Sequence, residues 1–268
     1  MSNANSIKNC CRDILQKIPY PSLIVNILMF TTLGILGETS GAVLDRLFSY
    51  QGGEPYPFEN LIDIYTFVRW LMPHYFLSIW IGNYTENRMV DYRFQAPRYG
   101  SMFRWWALST RNLVSIIITY YVSIYAIVAI ISYLLGDRLP GITVLDINRN
   151  SHFFELSNDT VVMFYSMLFR TILPMVWILL TQYSIYFLTH NTRLSGAFFI
   201  TALVVCPFYP FRTAVSYIPV NWMMIKRSQM MLTDIGPSDG TIWAGSVLMI
   251  VGLFAFMKVS LRFKKIVW

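Results

Sequence analysis

Long apolar stretches recur along the chain and are separated by shorter polar ones. A membrane-spanning helix needs about 20 mostly apolar residues, and six stretches meet or approach that length. They lie at about 22–43, 60–82, 113–135, 161–188, 195–211 and 242–259. The third stretch, LVSIIITYYVSIYAIVAIISYLL, is the most uniform, and the fifth is short. The pattern predicts an all-α membrane protein with six transmembrane helices.

The segment before the first apolar stretch has the period of a helix. In NSIKNCCRDILQKI, apolar residues recur at three- and four-residue spacing, and the basic residues fall mostly elsewhere. Pro19 and Pro21 follow directly. The pattern predicts that residues 1–21 form an amphipathic helix that lies in the membrane interface.

A second segment departs from the alternation of span and loop. Residues 207–240 contain repeated prolines, yet they are too apolar for a solvated loop and too broken for one straight span. Irregular backbone at membrane depth must be covered by protein or line a cavity. We therefore expect interfacial or re-entrant helices here, before the last span. No linker or internal repeat divides the chain, so residues 1–268 are expected to form a single transmembrane domain.

Composition and charge agree with a membrane protein and indicate its orientation. Of the 268 residues, 55% are hydrophobic and 13% are charged, whereas a soluble domain has nearer a quarter charged. If the N-terminus is cytoplasmic, thirteen of the 21 Lys and Arg residues lie on that side and six on the other. Basic residues collect on the cytoplasmic side. We expect a multi-pass protein of the cell membrane with both termini in the cytoplasm.

Motifs of familiar catalytic sites are missing from the chain. It contains no G-x-x-x-x-G-K-[ST] phosphate loop, no G-x-S-x-G and no H-E-x-x-H. Its three histidines, His74, His152 and His190, fall in different segments, and no C-x-x-C spacing occurs. We therefore expect no catalytic constellation, metal site or cofactor on this chain.

Charged residues lie within or beside the predicted spans, at Glu38, Asp63, Arg69 and Arg170. A charge in the bilayer is costly unless it is paired or hydrated, so such residues normally face the interior of the bundle. One interpretation is a structural ion pair, for example between Arg170 and Glu38. The other is that these side chains line a polar substrate path. Asp63 and Arg69 stand six residues apart, which turns them away from each other on one helix.

The connection between the second and third apolar stretches, residues 84–112, mixes arginines with aromatic residues. Its last part reads YRFQAPRYGSMFRWWALSTRN. A nucleic acid would need a solvated basic groove with aromatic platforms, whereas this segment is flanked directly by two spans. We expect a cytoplasmic loop with a short helix on the inner membrane face, which serves either as an anchor or as a docking surface for another protein.

Tryptophans near span ends are expected to be interfacial anchors. They are Trp70, Trp80, Trp105, Trp106, Trp222, Trp243 and Trp268.

The stretch PRYGSMFRWW, residues 97–106, resembles the inner-loop pattern of small bacterial permeases of lantibiotic and bacteriocin export or immunity. In those permeases an Arg-Tyr turn precedes a basic-Trp-Trp run. The order of elements along the whole chain is also similar to the permease subunit of a type-2 ATP-binding-cassette exporter. The resemblance implies two permease copies, each bound by a separate ATPase subunit that carries the ATP and Mg²⁺.

The resemblance also implies roles for particular segments. The helix in residues 84–112 would be a coupling helix that sits in a groove of the ATPase, and residues 207–240 would form an outer gate. The cargo would be a peptide, such as a bacteriocin, that leaves across the cytoplasmic membrane. The residues implied in ATPase docking are Tyr92, Arg93, Arg98, Tyr99, Phe103 and Arg104.

Two other functions stay open on the sequence alone. The alternatives to the permease are a peptide-binding immunity or sensor protein that does not transport, and a membrane enzyme that acts without a partner. Turnover by the isolated chain would favour the enzyme, and protection that persists with a hydrolysis-dead ATPase would favour the immunity protein.

The predicted orientation can be tested by thiol labelling. The native cysteines are first replaced by serine, and single cysteines are then placed at Arg104 and at Asp146, which lies in the predicted outer connection between the third and fourth apolar stretches. We expect a membrane-impermeant reagent to label the Asp146 position in intact cells, and the Arg104 position only after the cytoplasmic face is opened. Labelling of the Arg104 position from outside intact cells would contradict the orientation.

Overall fold

The structure, a computed structural model, describes residues 21, 23–29, 64–136, 160–205, 217–224 and 236–263. All the regular elements in these ranges are helices, which confirms the expected all-α fold for the described part of the chain. The α-helices are Ile64–Tyr99 (α1), Met102–Leu134 (α2), Thr160–Thr189 (α3), Thr192–Ile200 (α4), Pro219–Trp222 (α5) and Asp239–Phe263 (α6). Residues 23–29 are also helical, and a π-helical turn, Thr201–Val205, directly follows α4.

A two-residue turn joins α1 and α2 into an antiparallel hairpin. Gly100 has a φ of 69°, a left-handed conformation that glycine adopts without strain. Ser101 caps α2, and its side chain accepts a hydrogen bond of 3.2 Å from the main-chain N–H of Arg104. The composition of residues 84–112 predicts a loop with a short helix. The predicted loop is wrong, because these residues continue the two long helices on both sides of the turn.

Both helices of the hairpin are longer than a bilayer requires. At about 1.5 Å per residue, the 36 residues of α1 and the 33 residues of α2 extend roughly 54 and 50 Å. The hydrocarbon core of a bilayer is only about 30 Å thick. Hydropathy therefore locates the apolar part of each helix and not its end.

Contacts between α1 and α3 show that these two helices run in the same direction. The Ser78 hydroxyl donates to Oε1 of Gln182 at 3.0 Å. Further along α1, Oε1 of Glu86 accepts a hydrogen bond of 3.0 Å from the hydroxyl of Thr192, which stands three residues after the end of α3. α1 and α3 are therefore parallel, although α2 separates them along the chain.

α2 runs opposite to α3 and α6. Trp105, near the start of α2, stacks on Phe187 near the end of α3, with ring centroids 5.7 Å apart. Trp106 meets Phe254, in the second half of α6, at 4.9 Å. The bundle thus has two chemically different ends. The hairpin end holds the α1–α2 turn, and the Asp239 end holds the starts of α3 and α6.

Among the described residues, three helices are long and apolar enough to cross a membrane, as in a membrane protein: Met102–Leu134, Phe164–Thr189 and Asp239–Arg262. They correspond to the third, fourth and sixth predicted spans. The second predicted span lies in α1, which is long enough but too polar to qualify. The fifth corresponds in part to the shorter apolar helix Thr192–Val205. The predicted interfacial helix and most of the first span lie outside the described residues.

A short break separates α3 from α4 at the hairpin end. His190 has a positive φ of 52°, which ends the regular helix. The Asn191 side chain then caps α4 by accepting a hydrogen bond of 3.1 Å from the main-chain N–H of Leu194. Because α3 ends and α4 begins at this break, Thr192 lies beside Glu86 of α1.

Aromatic side chains fill the core at the hairpin end. Trp105 and Trp106 are buried, although the exposed Arg104 precedes them on the same helical turn. Their expected role as interfacial anchors is wrong, and so is that of Trp70 and Trp222, which are also buried. A large apolar ring fits a membrane interface and a helix–helix contact equally well, so local sequence does not separate the two.

Part of the predicted outer segment packs inside the bundle. Three of the four residues of α5 and the two methionines that follow it are buried, and α5 contacts α3 and α6. Gly245 of α6 makes room for this segment, since a Cβ atom at that position would overlap the ring of Trp222. The segment contains this short helix, and its predicted interfacial or re-entrant position stays a prediction. Residues 207–216 and 225–235 lie outside the described residues, and residues 239–240 already belong to α6.

The close approach of Trp222 to α6 predicts unequal effects for two glycines of that helix. Gly245→Val forces a branched side chain into the buried Trp222 ring and should lower the free energy of unfolding by about 1–3 kcal/mol. Gly252→Val is the matched control, because a Cβ atom at that position would meet no packed neighbour within 4 Å among the described residues. Unfolding in mixed detergent micelles measures both. Equal losses at the two positions would contradict the packing of this segment.

Candidate functional site

Polar side chains join the helices of the bundle in successive layers. In a bilayer each polar group needs a partner within the protein, and an ionisable residue inside a span is a functional candidate. An ion pair lies nearest the Asp239 end, a layer of tyrosines adjoins it, and glutamine and glutamate contacts follow towards the hairpin end. The ion pair and the hairpin end are the two candidate sites.

The ion pair joins α3 to α6. Nε of Arg170 lies 2.7 Å from Oδ1 of Asp239. The same Nε donates to the Ser166 hydroxyl at 3.2 Å, and that hydroxyl donates to Oδ1 and Oδ2 of Asp239 at 3.3 and 3.4 Å. The two partners differ in burial, since the Arg170 side chain is 1% exposed and that of Asp239 is 45% exposed.

Helix position explains why an aspartate suits this place. Asp239 stands in the first turn of α6, where the unpaired N–H groups of the helix favour a negative side chain. Ser238 precedes it, and its hydroxyl oxygen accepts a hydrogen bond of 3.2 Å from the main-chain N–H of Thr241. The start of α6 is therefore ordered by its own cap, and the carboxylate is held against α3.

The sequence predicts the pairing of the intramembrane charges only in part. Arg170 does form an ion pair, and its partner among the described residues is Asp239. Glu38, the partner given as an example, lies outside the described residues. Asp63 also lies outside them, and Arg69 is half-buried on α1. The signal that sequence reasoning missed is an acid in the first turn of the last span, at the end of the bundle where Arg170 also lies.

Tyrosines of α2 connect it to its neighbours beside this ion pair. The hydroxyl of Tyr120 donates to the main-chain carbonyl of Pro73 in α1 at 2.9 Å and accepts from Nδ2 of Asn26 at 2.6 Å. On the other side of α2, the hydroxyl of Tyr125 donates to the Met167 carbonyl of α3 at 3.2 Å. These contacts tie α2 to both flanking helices and to the helical residues 23–29.

A histidine lies in the same layer. Nδ1 of His74 is 2.5 Å from the hydroxyl of Tyr121, and the Trp70 ring packs edge-on at a centroid distance of 4.9 Å. The His74 ring is fully buried between α1 and α2. Its surroundings are aromatic, which is typical of a side chain that holds two helices together. From the sequence, His74 is recognisable only as an isolated histidine.

The second candidate site is the hairpin end. Phe103 is half-buried and stacks on Trp106 at 5.8 Å, whereas Arg104 is exposed. The backbone of the other predicted docking residues lies in the last two turns of α1, and their side chains lie outside the described residues. These other residues are Tyr92, Arg93, Arg98 and Tyr99. The turn thus brings the two halves of the predicted docking set to one end of the bundle.

Within the described ranges, no group of three or more His, Cys, Asp or Glu side chains comes together as a metal site would require. No family model, curated protein or solved structure matches the chain. The geometry of the two candidate sites therefore carries the functional argument.

The ion pair makes a testable contribution to stability. Asp239→Ala leaves a buried guanidinium without its carboxylate and should cost roughly 2–4 kcal/mol, less than for a fully buried pair because Asp239 is half-exposed. The double variant Arg170→Met with Asp239→Leu should recover most of that loss, because both charges are removed together. Unfolding in mixed micelles gives the comparison. A double variant less stable than Asp239→Ala would contradict this account.

Proposed function

We propose that this chain is the membrane-spanning permease subunit of an ATP-binding-cassette exporter, and that a separate ATPase subunit binds the hairpin end. Two permease copies would share the complex, and the cargo would be a peptide moved out across the cell membrane. Support comes from the resemblance of PRYGSMFRWW and from the mechanical connection that these residues make.

One observation carries this proposal. Directly behind the turn, Trp105 is buried against Phe187 of α3, and Trp106 is buried against Phe254 of α6. Close-packed cores transmit displacement because they contain few voids. A push on the turn would therefore act on α3 and α6 together, and both helices reach the Asp239 end.

Charge at the hairpin end supports its assignment to the cytoplasm. Arg104, Arg193 and Arg262 are exposed on α2, α4 and the last turn of α6, which all lie at this end. Basic residues are enriched on the cytoplasmic side of membrane proteins. A cytoplasmic ATPase with an acidic groove would meet this end, and the exposed Arg104 lies beside the turn.

Reversing the charge of one exposed arginine at the hairpin end tests ATPase docking, and reversing the charge of a second arginine at the same end is the control. Arg104→Glu should reduce co-purification of the proposed ATPase partner, with roughly tenfold weaker binding, equivalent to about 1.4 kcal/mol. Arg262→Glu makes the same charge change on α6 and should leave binding near its normal level. Expression and thermal unfolding confirm that both variants insert and fold.

The outcome distinguishes the three functions. Loss of ATPase binding with Arg104→Glu alone supports the permease, and normal binding with that variant removes the docking proposal. Catalytic turnover by the purified chain without a partner would favour a membrane enzyme. Peptide protection that persists when the ATPase cannot hydrolyse ATP would favour an immunity or sensor protein.

A further inference from the structure

The Arg170 guanidinium has more hydrogen-bond donors than its neighbours use. An arginine side chain carries five N–H donors, and Nε serves both Asp239 and Ser166. Nη1 is buried and has no hydrogen-bond acceptor among the described residues. Strong arginine–carboxylate pairs frequently use two parallel N–H bonds. A buried donor nitrogen of a fixed cation is therefore available.

The two members of the ion pair are unequally constrained. Arg170 is packed inside the bundle, with its side chain 1% exposed, while Asp239 is 45% exposed in the first turn of α6. The Asp239 carboxylate would gain water by rotating outwards, whereas the guanidinium is fixed inside the bundle. Because a buried charge without a counter-ion is strongly unfavourable, the aspartate can leave only if another anion takes its place.

Exposed aromatic rings lie next to this pair. Phe169 precedes Arg170, and its ring contacts Trp243 of α6 at a centroid distance of 5.2 Å. Tyr165 stacks on Phe169 at 6.4 Å. All three rings are partly open to the surroundings of the bundle. An apolar or aromatic group placed beside the ion pair would find these rings within reach.

We propose that Arg170 receives an oxyanion of a ligand, namely a carboxylate next to an apolar or aromatic group, and that Asp239 is the intramolecular stand-in for it. The ligand carboxylate replaces Asp239 at the guanidinium and reaches Nη1 as well. The apolar group lies on the aromatic patch formed by Tyr165, Phe169 and Trp243. A peptide with an apolar C-terminal residue has this chemistry, and in that respect the inference deepens the proposed export of a peptide.

The exchange conserves charge in the apolar surroundings. Before binding, Arg170 is neutralised by Asp239. After binding, the ligand carboxylate neutralises Arg170, and the Asp239 carboxylate is hydrated at the end of the bundle. Simple addition of the anion would leave an excess negative charge beside the pair, which a low-dielectric site disfavours. Asp239 therefore competes with the ligand, and its removal should strengthen binding.

The test uses the full chain alone in lipid nanodiscs, without an ATPase. The probes are N-acetyl-leucyl-phenylalanine, its C-terminal amide, and inorganic phosphate. Binding is measured by calorimetry and by the shift of the thermal unfolding midpoint. The variants are Asp239→Asn, Arg170→Gln and Glu86→Gln. Glu86→Gln is the matched control, because it neutralises a hydrogen-bonded acid at the opposite end of the bundle.

We expect the removal of the Asp239 charge to strengthen ligand binding, which a purely structural ion pair would not produce. The peptide acid should bind at least tenfold more tightly than the amide. Asp239→Asn should bind the acid about tenfold more tightly than the unaltered chain, and its lowered unfolding midpoint should rise with the acid but not with the amide. Arg170→Gln should lose the preference for the acid, and Glu86→Gln should behave as the unaltered chain.

Other outcomes also decide the question. Phosphate that binds with the same dependence on Asp239 and Arg170, while the peptide acid does not, supports the oxyanion site and assigns it to a phosphate group. The proposal is overturned if the Asp239→Asn variant binds every probe no better than the unaltered chain does. That comparison stands even if Arg170→Gln does not fold. Normal ATPase docking by Arg104→Glu would contradict the permease proposal and leave this result unaffected.

Discussion

Polar groups inside an apolar bundle have to find their partners on neighbouring helices, and this constraint shapes the whole arrangement. Without water, an unpaired hydroxyl, amide or guanidinium carries its full desolvation cost. The tyrosines of α2 meet this requirement by hydrogen bonding to main-chain carbonyls of both flanking helices. Such contacts are directional, so they also set which faces of α1 and α3 turn towards α2.

The two ends of the bundle satisfy the same constraint in different ways. At the hairpin end, large aromatic rings fill the space between helices, and basic side chains stay outside. At the Asp239 end, a buried cation is neutralised by a half-exposed acid. α3 and α6 take part in both arrangements. A displacement applied at one end therefore has a structural route to the other.

Hydropathy is a good guide to the interior of the helices and a poor guide to their ends. The third, fourth and sixth apolar stretches correspond to helices that are long and apolar enough to span a membrane. The mixed basic and aromatic residues 84–112 predict a loop because they are not uniformly apolar. Backbone hydrogen bonding does not require an apolar side chain, so α1 and α2 continue through this region up to Gly100 and Ser101.

Local sequence was enough to establish that the described chain is helical and that three of its helices suit a bilayer, because a 20-residue apolar run is a local property. It also marked Arg170 as a charge that needs a partner. The packing of the helices was needed to show that this partner is Asp239 and that Trp105 and Trp106 face inward. Asp239 and Arg170 are far apart along the chain, and their meeting depends on the parallel direction of α3 and α6. Periodicity along one helix carries no information about the direction of another.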